Sequence, residues 1–405
     1  MIVLVINCGS SSLKYRVFSM TTEKLLASGL ADRVGISGGG EASLKHRPAG
    51  GSECVTQVQM PDHTAAMRHV LAVLTDPEHG VIGSLSEIKA IGHRVVPGGE
   101  AFSESVLIDA DVIAGIEAFA ELAPLHNPPN LMGIRACEAA LPGVPQVAVF
   151  DTAFHQTMPR RAYLYGLPYD LYEEGHLRRY GFHGTSHRYV SLRAENLLAE
   201  QGIALADQKI VTCHIGNGCS MAAVKAGKSV DTTMGLTPLE GLLMGTRCGD
   251  MDPAIVPFLM DQRGLERQQI DELLNKRSGL LGVSGVSSDM RDVKAAALDG
   301  NAQAEAAVEL FCYRIQKYIG SYAAAMGGVD AIVYTAGIGE NEPMVRARST
   351  DELGFLGVKL DAAKNEDGSL RGQEVDISTA DSRVRIYVIP TDEELMIARD
   401  TAALV

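Results

Sequence analysis

The sequence predicts an α/β protein built from two similar halves, and three observations support this fold class. Short apolar segments alternate with amphipathic segments along all 405 residues, which is the pattern of strands and helices that pack in layers. Polar, glycine-containing turns directly follow several of the apolar segments. One combination of strand and turn at the start of the chain occurs again near residue 210. A chain of this length also exceeds one small core and fits two domains.

The chain opens with a predicted buried strand, residues 1–6, which runs straight into a small polar turn. Small side chains in this turn let backbone N–H groups and the hydroxyls of Ser10 and Ser12 close around an anion. Lys14 adds a positive charge, and Asn7 offers a neutral oxygen to a hydrated Mg²⁺ ion. The pattern predicts a nucleotide-phosphate loop, although the spacing of a Walker A loop is absent. Taken alone, a serine-rich turn without a ligand is the alternative.

The same combination recurs twice, after apolar strands at 210–213 and 331–336. The matching places of Asn7 and His214 indicate an internal duplication, with a nucleotide held between the halves. The residues of the two later turns are His214, Ile215, Gly216, Asn217, Gly218, Gly337, Ile338, Gly339, Glu340 and Asn341.

Composition excludes several classes of function. The chain has 36 basic and 50 acidic residues and a formal net charge of −14, which argues against nucleic acid or an anionic membrane as the main partner. No apolar stretch is long enough to span a bilayer, and the first residues form a strand rather than a signal peptide, so we expect a cytoplasmic protein. The odd count of 7 cysteines favours reduced thiols. His183 and His187 have the spacing of zinc ligands but lack an obvious third ligand.

Helices are predicted from hydrophobic periodicity and from capping residues. The predicted helices are residues 62–74, 109–122, 130–141, 186–200 (capped by Thr185 or Ser186) and 302–326, the last ended by Gly327 and Gly328. Residues 33–61, with Gly38–Gly40 and Gly50–Gly51, are expected to form hairpins. Residues 365–376 are expected to form a polar surface loop.

Ligands of open α/β sheets collect beyond the carboxyl ends of the strands. Six polar clusters follow predicted strands in this sequence, which predicts a shared cleft. These clusters are Asn7, His93-Arg94, Asp151, His214, Gly337 and Glu393-Glu394.

Two arginines, an aspartate and a histidine are the candidate catalytic residues. Arg94 and Arg247 each stand among glycines, where a guanidinium can bind a carboxylate or phosphate; a salt bridge across a turn is the alternative for each. Asp151 can hold a metal-bound water, orient a guanidinium or cap the next helix. His183 can donate to a phosphoryl oxygen or pack beside Phe182. Two arginines in separate strand–loop units suit phosphoryl transfer, in which catalysis is mostly positioning and charge neutralisation.

Nine segments carry a resemblance to a known family: residues 7–14, 92–100, 151–155, 180–187, 214–220, 245–252, 287–292, 337–341 and 391–400. In this order they resemble the acetokinase family, whose relatives share the fold of sugar kinases, Hsp70 and actin. The resemblance covers essentially the whole chain. It implies two duplicated actin-like (ribonuclease H-like) domains with a nucleotide cleft between them. Residues 1–151 and 386–405 would form the first domain, and residues 152–385 would form the second, which would bind nucleotide and form a homodimer.

The resemblance implies reversible, Mg²⁺-dependent transfer of a phosphoryl group from ATP to acetate, giving acetyl phosphate and ADP; Mn²⁺ can replace Mg²⁺. Asn7 and Glu393 would bind the metal ion. The implied nucleotide site comprises Ser10, Ser12, Lys14, residues 214–218, Asp289, Met290, Arg291 and residues 337–341. The implied acyl pocket comprises Arg94, Val96, Leu125, Phe182 and Pro238.

The family's active-site acid or base matches Asp151. Acetate is already a carboxylate at neutral pH, so no proton has to leave the nucleophile. We therefore expect Asp151 to align Mg²⁺ or an arginine by its charge. By the same resemblance, Arg94 would bind the carboxylate or acyl phosphate, while His183 and Arg247 would stabilise the transferring phosphoryl group.

Two positions depart from the family pattern. Pro97 stands where a histidine is common, which stiffens the loop and removes one hydrogen-bond donor. Asp392 replaces the asparagine usual before the paired glutamates, which adds a negative charge near the proposed metal ion. Neither change removes a residue with a proposed chemical role, but each can alter nucleotide or metal affinity.

Two other functions remain open at this stage. One is a kinase of the same family that acts on propionate or butyrate. The other is a nucleotide-switch ATPase of the actin or chaperone type. A chaperone needs a further peptide-binding domain, for which the chain leaves no residues, and an actin-like protein has no use for Arg94 and Arg247 at an acyl site. The expected partners are therefore acetate and ATP, with no nucleic acid and no membrane.

Overall fold

A computed structural model describes residues 1–36, 40–119 and 127–405. Within these residues the chain forms two compact units. Unit 1 comprises Met1–Phe154 and Asp392–Val405, and unit 2 comprises His155–Thr391.

The strands are numbered in chain order. Unit 1 contains β1 Ile2–Cys8, β2 Ser12–Ser19, β3 Lys24–Asp32, β4 Ser43–Pro48, β5 Cys54–Gln57, β6 Ile88–Val95, β7 Val106–Leu107 and β8 Gln146–Phe150. Unit 2 contains β9 Lys209–Ile215, β10 Cys219–Lys225, β11 Lys228–Thr232, β12 Ala331–Thr335, β13 Val375–Asp376 and β14 Arg385–Val388.

The helices are numbered in the same way. The first three are α1 His63–Leu74, α2 Ala110–Ala118 and α3 Asn127–Ala140. Those of unit 2 are α4 Arg160–Tyr163, α5 Asp170–Glu173, α6 Gly184–Glu200, α7 Ile255–Arg263, α8 Arg267–Lys276, α9 Gly279–Ser284, α10 Met290–Leu298, α11 Ala302–Met326, α12 Ala336–Asn341, α13 Pro343–Thr350 and α14 Ala362–Glu366. The chain ends with α15 Glu393–Leu404, which returns to unit 1.

The two sheets share one central arrangement. The first has the order β5-β4-β3-β2-β1-β6-β8-β7, and the second has the order β11-β10-β9-β12-β14-β13. Each sheet contains the same run of five strands, namely β3-β2-β1-β6-β8 in the first and β11-β10-β9-β12-β14 in the second. In each run the first three strands are antiparallel neighbours, and the last three are parallel neighbours. The predicted α/β class and the predicted duplication are therefore confirmed.

Helices cover both faces of the first sheet. On one face, Met67 and Val70 of α1 and Cys137 of α3 share a core with Leu4 and Ile6 of β1. On the other face, Ile397 and Ala398 of α15 pack against β1 and β8. Successive side chains of a strand point to opposite faces of the sheet, so both faces of β1 are buried. The packing of α15 holds this helix on the sheet whose strand ends carry Arg94 and Asp151.

Most predicted helices are present, with shifted starts. The helix predicted at 302–326 is α11; Asn301 caps its start, and Gly327 ends it with a φ of 71°, as glycine does after many helices. The helix predicted at 186–200 begins two residues earlier, at Gly184, because His183 in a left-handed conformation precedes it, so neither Thr185 nor Ser186 is the cap. The helix predicted from residue 130 starts at Asn127.

Other predicted segments differ from the structure in detail. The helix predicted at 109–122 ends at Ala118, and residues 120–126 lie outside the described part of the chain. In 33–61, the turn at Gly50 joins β4 to β5 as a hairpin, whereas Gly38 and Gly39 are not described. The loop prediction at 365–376 is wrong at both ends, because the segment includes the last residues of α14 and the strand β13, which pairs with β14.

Strand β14 and the residues after it lie in unit 2 up to Thr391. Strand β14 pairs with β12 in parallel, so residues 386–391 belong to unit 2 rather than to unit 1. Among the described residues, no helix is long and apolar enough to cross a membrane.

We expect Gly92→Ala to destabilise unit 1, because Gly92 of β6 lies directly beneath α15. An added Cβ atom would lie 2.4 Å from Thr401 Oγ1 and 2.7 Å from Ile397 Cγ2, and the Thr401 hydroxyl is held by its bond to the Ile397 carbonyl. Overpacking of this kind costs about 1–3 kcal/mol of unfolding free energy. The midpoint of thermal unfolding, measured by circular dichroism, should therefore fall.

Gly320→Ala in α11 is the matched control. Nothing lies within 4 Å of its added Cβ atom, and alanine is favoured over glycine in a helix by about 1 kcal/mol. The control should keep or raise the midpoint. An unchanged midpoint for Gly92→Ala contradicts the close packing of α15 on β6.

Candidate active site

Arg94 and Asp151 form a two-point ion pair in unit 1. The Nη2 atom of Arg94 donates to Asp151 Oδ2 at 2.5 Å, and its Nε atom donates to Oδ1 at 3.3 Å. Arg94 stands near the end of β6 and Asp151 directly follows the neighbouring strand β8, so parallel pairing brings them together. The carboxylate is almost completely buried, with 1% of the side chain exposed. The Nη1 atom of Arg94 has no partner among the described residues.

Glu393, the first residue of α15, completes this charged group. Its Oε2 atom lies 3.8 Å from Arg94 Nε. Burial, together with the charges of Asp151 and Glu394, raises the pKa of Glu393 to about 7, against the opposing effect of Arg94. Burial lowers the pKa of Arg94, but the charges of Asp151 and Glu393 outweigh it and raise that pKa. An additional cation beside Glu393 would stabilise its ionised form.

Asp392 does not add an unpaired charge at this place. Its Oδ1 atom accepts from the backbone N–H of Leu395 at 3.0 Å and so caps α15. The same oxygen pairs with Arg16 Nη1 at 3.1 Å. Asparagine caps helices as well as aspartate does, and here the extra charge of Asp392 is compensated by Arg16, which also pairs with Glu394 at 3.4 Å.

The first two strands place Asn7 and Lys14 beside each other, whereas Ser10 and Ser12 do not line the cavity that these two residues share. Asn7 of β1 lies opposite Lys14 of β2, and the N–H of Gly9 donates to the Ser12 carbonyl at 2.8 Å, which closes the turn that holds Ser10. Asn7 and Lys14 both line a cavity of about 420 Å³ in unit 1.

The side chains at this end of unit 1 suit a magnesium ion held mainly by water and substrate. Among the described residues, no group of three or more His, Cys, Asp or Glu side chains is arranged to hold a metal ion by itself. Mg²⁺ commonly keeps several waters and uses one or two carboxylates together with substrate phosphates. The amide of Asn7 and the carboxylate of Glu393, whose pKa is raised mainly by burial, fit that pattern.

Asn130, which no sequence pattern marked as important, holds the loop after β6 in place by hydrogen bonds. Asn130 of α3 accepts from the N–H of Val96 at 3.2 Å and donates to the carbonyl of Cys8 at 3.2 Å. It thereby links the end of β1 to the end of β6. Val96 and Pro97 are both buried, so Pro97 packs inside the unit rather than standing as an exposed donor-poor loop residue. No sequence signal marks Asn130, because its bonds are made to residues distant along the chain.

In unit 2, the three segments predicted to bind nucleotide surround one cavity of about 830 Å³. This volume is in the range of pockets that hold a nucleotide-sized ligand. The lining includes predicted residues from all three segments, namely Gly216, Asn217, Asp289, Met290, Arg291, Gly337, Ile338 and Asn341.

The cavity wall is built from helix starts and ion pairs. Asp289 caps α10 by accepting from the N–H of Arg291 at 2.9 Å, and it also pairs with the Arg291 guanidinium at 2.6 Å. These bonds lower the pKa of Asp289 to about 2. Lys294 of α10 pairs with Glu342 at 2.7 Å. Four further residues line the cavity without any sequence pattern that marks them, namely Lys294, Glu342, Glu366 and Arg371. Glu366 and Arg371 lie in the segment that was expected to be only a surface loop.

Some of the predicted nucleotide residues support the cavity instead of lining it. Glu340 accepts from the backbone N–H of Ala336 at 2.8 Å and of Thr391 at 3.3 Å, which stabilises the turn between β12 and α12. Ile215 is fully buried. His214 Nδ1 bonds to Ser186 Oγ at 2.8 Å. Gly218 and Gly339 are likewise outside the lining.

His183 and Arg247 meet beside the glycine turn after β9. A Cβ atom built on Gly218 would lie 3.6 Å from Arg247 Nη2 and 3.7 Å from His183 Cε1, so both side chains lie next to Gly218. His183 has a left-handed φ of 55°. Its ring stacks on His214 at 4.1 Å, and its Nδ1 atom bonds to Ser220 Oγ at 2.8 Å.

The guanidinium of Arg247 differs from that of Arg94 in its charge environment. Its Nη1 atom donates to the carbonyl of Pro238 at 2.8 Å, and in the part of the chain that the structure describes no carboxylate pairs with it. Burial lowers the pKa of Arg247. A partly buried cation without a counter-ion favours an anionic ligand, so this side chain suits a phosphoryl group.

The residues predicted to line the acyl pocket are Val96 in unit 1 and Phe182 and Pro238 in unit 2, together with Arg94 and Leu125. Val96 is 6% exposed in unit 1, and Phe182 is 6% exposed in unit 2. The Phe182 carbonyl accepts from His155 Nε2 at 3.1 Å, which holds its backbone beside His183. Pro238 contacts Arg247 through its carbonyl. Leu125 lies outside the described residues.

Comparisons with known proteins give one consistent result. The model of the Acetokinase family matches residues 2–399. An acetate kinase from Natranaerobius thermophilus is 57% identical over 402 residues, which are 99% of each chain. The crystal structure of Porphyromonas gingivalis acetate kinase has a TM-score of 0.94 and 50% identity, covering 100% of this chain and 99% of that one. A propionate kinase from Francisella tularensis has a TM-score of 0.90 and 42% identity, covering 100% of both chains.

These matches extend over both units and every segment that carries a candidate residue. They confirm the predicted fold and the predicted enzyme class, a kinase that uses ATP, and they set aside the nucleotide-switch ATPase. The chain belongs to the acetokinase family.

Proposed function

We propose that this protein transfers the γ-phosphoryl group of ATP to acetate, reversibly, giving acetyl phosphate and ADP. The observation that carries the proposal is Arg247, a partly buried guanidinium without a carboxylate partner in the described chain, placed with His183 at Gly218. The adjoining residues Gly216 and Asn217 line the nucleotide cavity. A cation at the phosphate end of a nucleotide is what phosphoryl transfer requires.

The nucleophile needs alignment rather than a base. Asp151 holds the guanidinium of Arg94 through two bonds, so the plane of Arg94 is fixed and its Nη1 atom remains for a carboxylate oxygen. Acetate is ionised at neutral pH, because carboxyl groups of this kind have pKa values near 4. Asp151 therefore acts by orienting Arg94.

A bound Mg²⁺ ion would neutralise charge on the phosphate oxygens. Asn7 and Glu393 would hold it, with Mn²⁺ as a substitute, while Lys14, Ser10 and Ser12 meet nucleotide phosphate. These assignments follow from the resemblance and from the oxygen donors at the ends of β1 and α15.

We also propose a homodimer and a cytoplasmic location. Helix α7 supports the dimer, because none of its residues is buried and Ile255, Phe258 and Met260 are 40%, 60% and 43% exposed. Apolar side chains on an uncovered helix commonly mark an interface. The cytoplasmic location rests on the sequence alone and stays a prediction.

Arg247→Ala should lower kcat by roughly 10³-fold, the scale of removing a charge-stabilising arginine in phosphoryl transfer. The fold should be kept, because the variant removes a partly buried charge without leaving a carboxylate unpaired. Steady-state kinetics at saturating ATP, Mg²⁺ and acetate measure the effect. Arg348→Ala, which removes a surface arginine paired with Glu305, is the control and should keep wild-type turnover. A near-normal kcat for Arg247→Ala would overturn the assignment.

Asn7→Ala and Glu393→Ala should each raise the Mg²⁺ concentration needed for half-maximal activity, because each removes one oxygen ligand of the same hydrated ion. Titration of activity against Mg²⁺ at fixed ATP tests this. Asp392→Asn is the control: it keeps the helix cap and changes only a charge already paired with Arg16, so its titration should match the wild type. If both alanine variants also match the wild type, the metal ion binds elsewhere.

The acid preference tests the function directly. Acyl phosphate formed from ATP is trapped with hydroxylamine, with acetate or propionate as the acid. The wild type should favour acetate by roughly 10- to 200-fold at most, because one methylene in an apolar pocket is worth about 1–3 kcal/mol. Val96→Ala should narrow this ratio by making room for the extra methylene.

Val95→Ala is the matched control. Val95 is completely buried in the core of unit 1 beside Ile116 and Phe150, so its truncation should lower stability and leave the acid ratio unchanged. A wild type that favours propionate would support the propionate kinase alternative, for which the Francisella tularensis structure is a precedent. An unchanged ratio in Val96→Ala would remove Val96 from the acyl pocket.

A further inference from the structure

A buried chain of hydrogen bonds leads from His183 into the core of unit 2. His183 Nδ1 bonds to Ser220 Oγ at 2.8 Å, and Ser220 Oγ bonds to His187 Nε2 at 2.8 Å. His187 Nδ1 continues the chain to Thr212 Oγ1 at 2.7 Å. Ser220, His187 and Thr212 are completely buried, so water does not compete for these bonds.

The number of protons in this chain restricts how they are distributed. The Thr212 hydroxyl can donate to the Ala222 carbonyl, which lies 3.4 Å away, and in that arrangement its oxygen accepts from Nδ1–H of His187. Burial, together with the nearby rings of His155 and His214, lowers the pKa of His187 well below its usual value. The ring of His187 is therefore neutral, and its Nε2 atom carries no proton.

The remaining bonds then have a fixed direction. Ser220 has one hydroxyl proton, which it donates to the bare Nε2 atom of His187. Its oxygen consequently accepts from Nδ1–H of His183. The tautomer of the ring next to Arg247 is thus determined by groups that lie behind it.

We propose that Ser220 and His187 are positioning residues that hold a proton on Nδ1 of His183, so that His183 meets the transferring phosphoryl group as an imidazolium. A neutral ring protonated at Nδ1 has a bare Nε2 atom, which repels a phosphoryl oxygen. Only the imidazolium offers Nε2–H as a donor. This inference rests on the proposed function, in which His183 faces the phosphoryl group. His183 is charged while the substrate anion is bound, and it transfers no proton in the phosphoryl-transfer step.

The described contacts of His183 within unit 2 involve histidines, Ser220 and Arg247. His214 of β9 stacks on its ring at 4.1 Å, and His187 of α6 reaches it through Ser220. Arg247 approaches from the other side of Gly218, and His155 lies 5.6 Å from His187. Among these groups, Arg247 disfavours a second positive charge on His183. A bound phosphoryl group reverses this, so the imidazolium forms where the substrate anion lies.

The pH dependence follows with a definite sign. The active form carries the protonated ring of His183, so kcat should be highest at low pH and should fall as the pH rises. Ser220→Ala removes an acceptor that stabilises the charged ring. A bond of this type is worth about one to two pKa units, so the falling limb of kcat should move to lower pH by that amount, while the KM for ATP stays near wild type.

The first test reads the tautomer without using activity. The resting enzyme, labelled with ¹⁵N-histidine, is examined by NMR at a pH where His183 is neutral, and its signals are assigned by their loss in His183→Asn. We expect a protonated Nδ1 and a bare Nε2 in His183, and the same tautomer in His187. The reverse tautomer in both rings, in which Thr212 donates to His187 and Ser220 donates to His183, would overturn the proposal.

The second test compares pH profiles of kcat. Ser220→Thr keeps a hydroxyl and should restore the wild-type limb that Ser220→Ala loses. Ser229→Ala is the matched control, because it removes another buried serine–histidine bond of 2.8 Å in unit 2, the bond to His155. This bond is not part of the hydrogen-bond chain that leads to His183, so the pH profile of Ser229→Ala should match the wild type. A limb that rises with pH in the wild type, or one unmoved in Ser220→Ala, would contradict the proposal.

The experiments distinguish a wrong assignment of the enzyme activity from a wrong role for Ser220 and His187. If the wild type forms no acyl phosphate from acetate or propionate, the proposed function is wrong, whatever the tautomers are. If it forms acyl phosphate while His183 is protonated at Nε2 in the neutral ring, the proposed function stands and the role of Ser220 and His187 is wrong.

Discussion

Parallel pairing of strands determines where the candidate side chains lie in each unit. In unit 1, β1, β6 and β8 are parallel neighbours, and in unit 2 the same holds for β9, β12 and β14. The carboxyl ends of such strands share one edge of the sheet. Arg94 and Asp151, which are distant along the chain, therefore meet at 2.5 Å. Because α15 packs on the same sheet, the first residue of that helix, Glu393, also reaches Arg94.

The two arginines show how environment divides one residue type between two roles. Arg94 is bound by a buried carboxylate and lies near a second one, which keep its guanidinium charged and fix its plane. Such a group can orient an incoming carboxylate, but much of its charge is already compensated. Arg247 has only neutral partners among the described residues, and burial lowers its pKa. Its charge is compensated only when an anion binds, so it responds to substrate more strongly than Arg94 does.

The sequence was sufficient for the fold class, the duplication and the long helix α11, because these depend on periodicity and on local signals such as Asn301 and Gly327. It also indicated which turns surround the cavity of about 830 Å³ in unit 2. It could not indicate Asn130, whose bonds join Cys8 to Val96 across the unit, nor Arg371, which comes from an irregular segment. It placed the start of α6 too late, because a left-handed histidine before a helix has no pattern in the sequence. Residues whose role depends on long-range contacts leave no local signal.

The duplication places different side chains at the same backbone position of the two units. Asn7 is the residue before the last of β1 and lies opposite Lys14; His214 is the residue before the last of β9 and lies opposite Ser220. The same backbone position thus holds an amide and an ammonium group in one unit, and an imidazole and a hydroxyl in the other. The first pair is exposed to a cavity and can bind phosphate or a hydrated metal ion. The second is buried against His183 and His187. Because the second pair is buried, its imidazole and hydroxyl groups form hydrogen bonds with neighbouring side chains instead of with a ligand. The duplicated scaffold therefore supplies two equivalent strand ends. In the proposed function, the side chains at one matched position let the first end bind ions and the second orient the histidine beside Arg247.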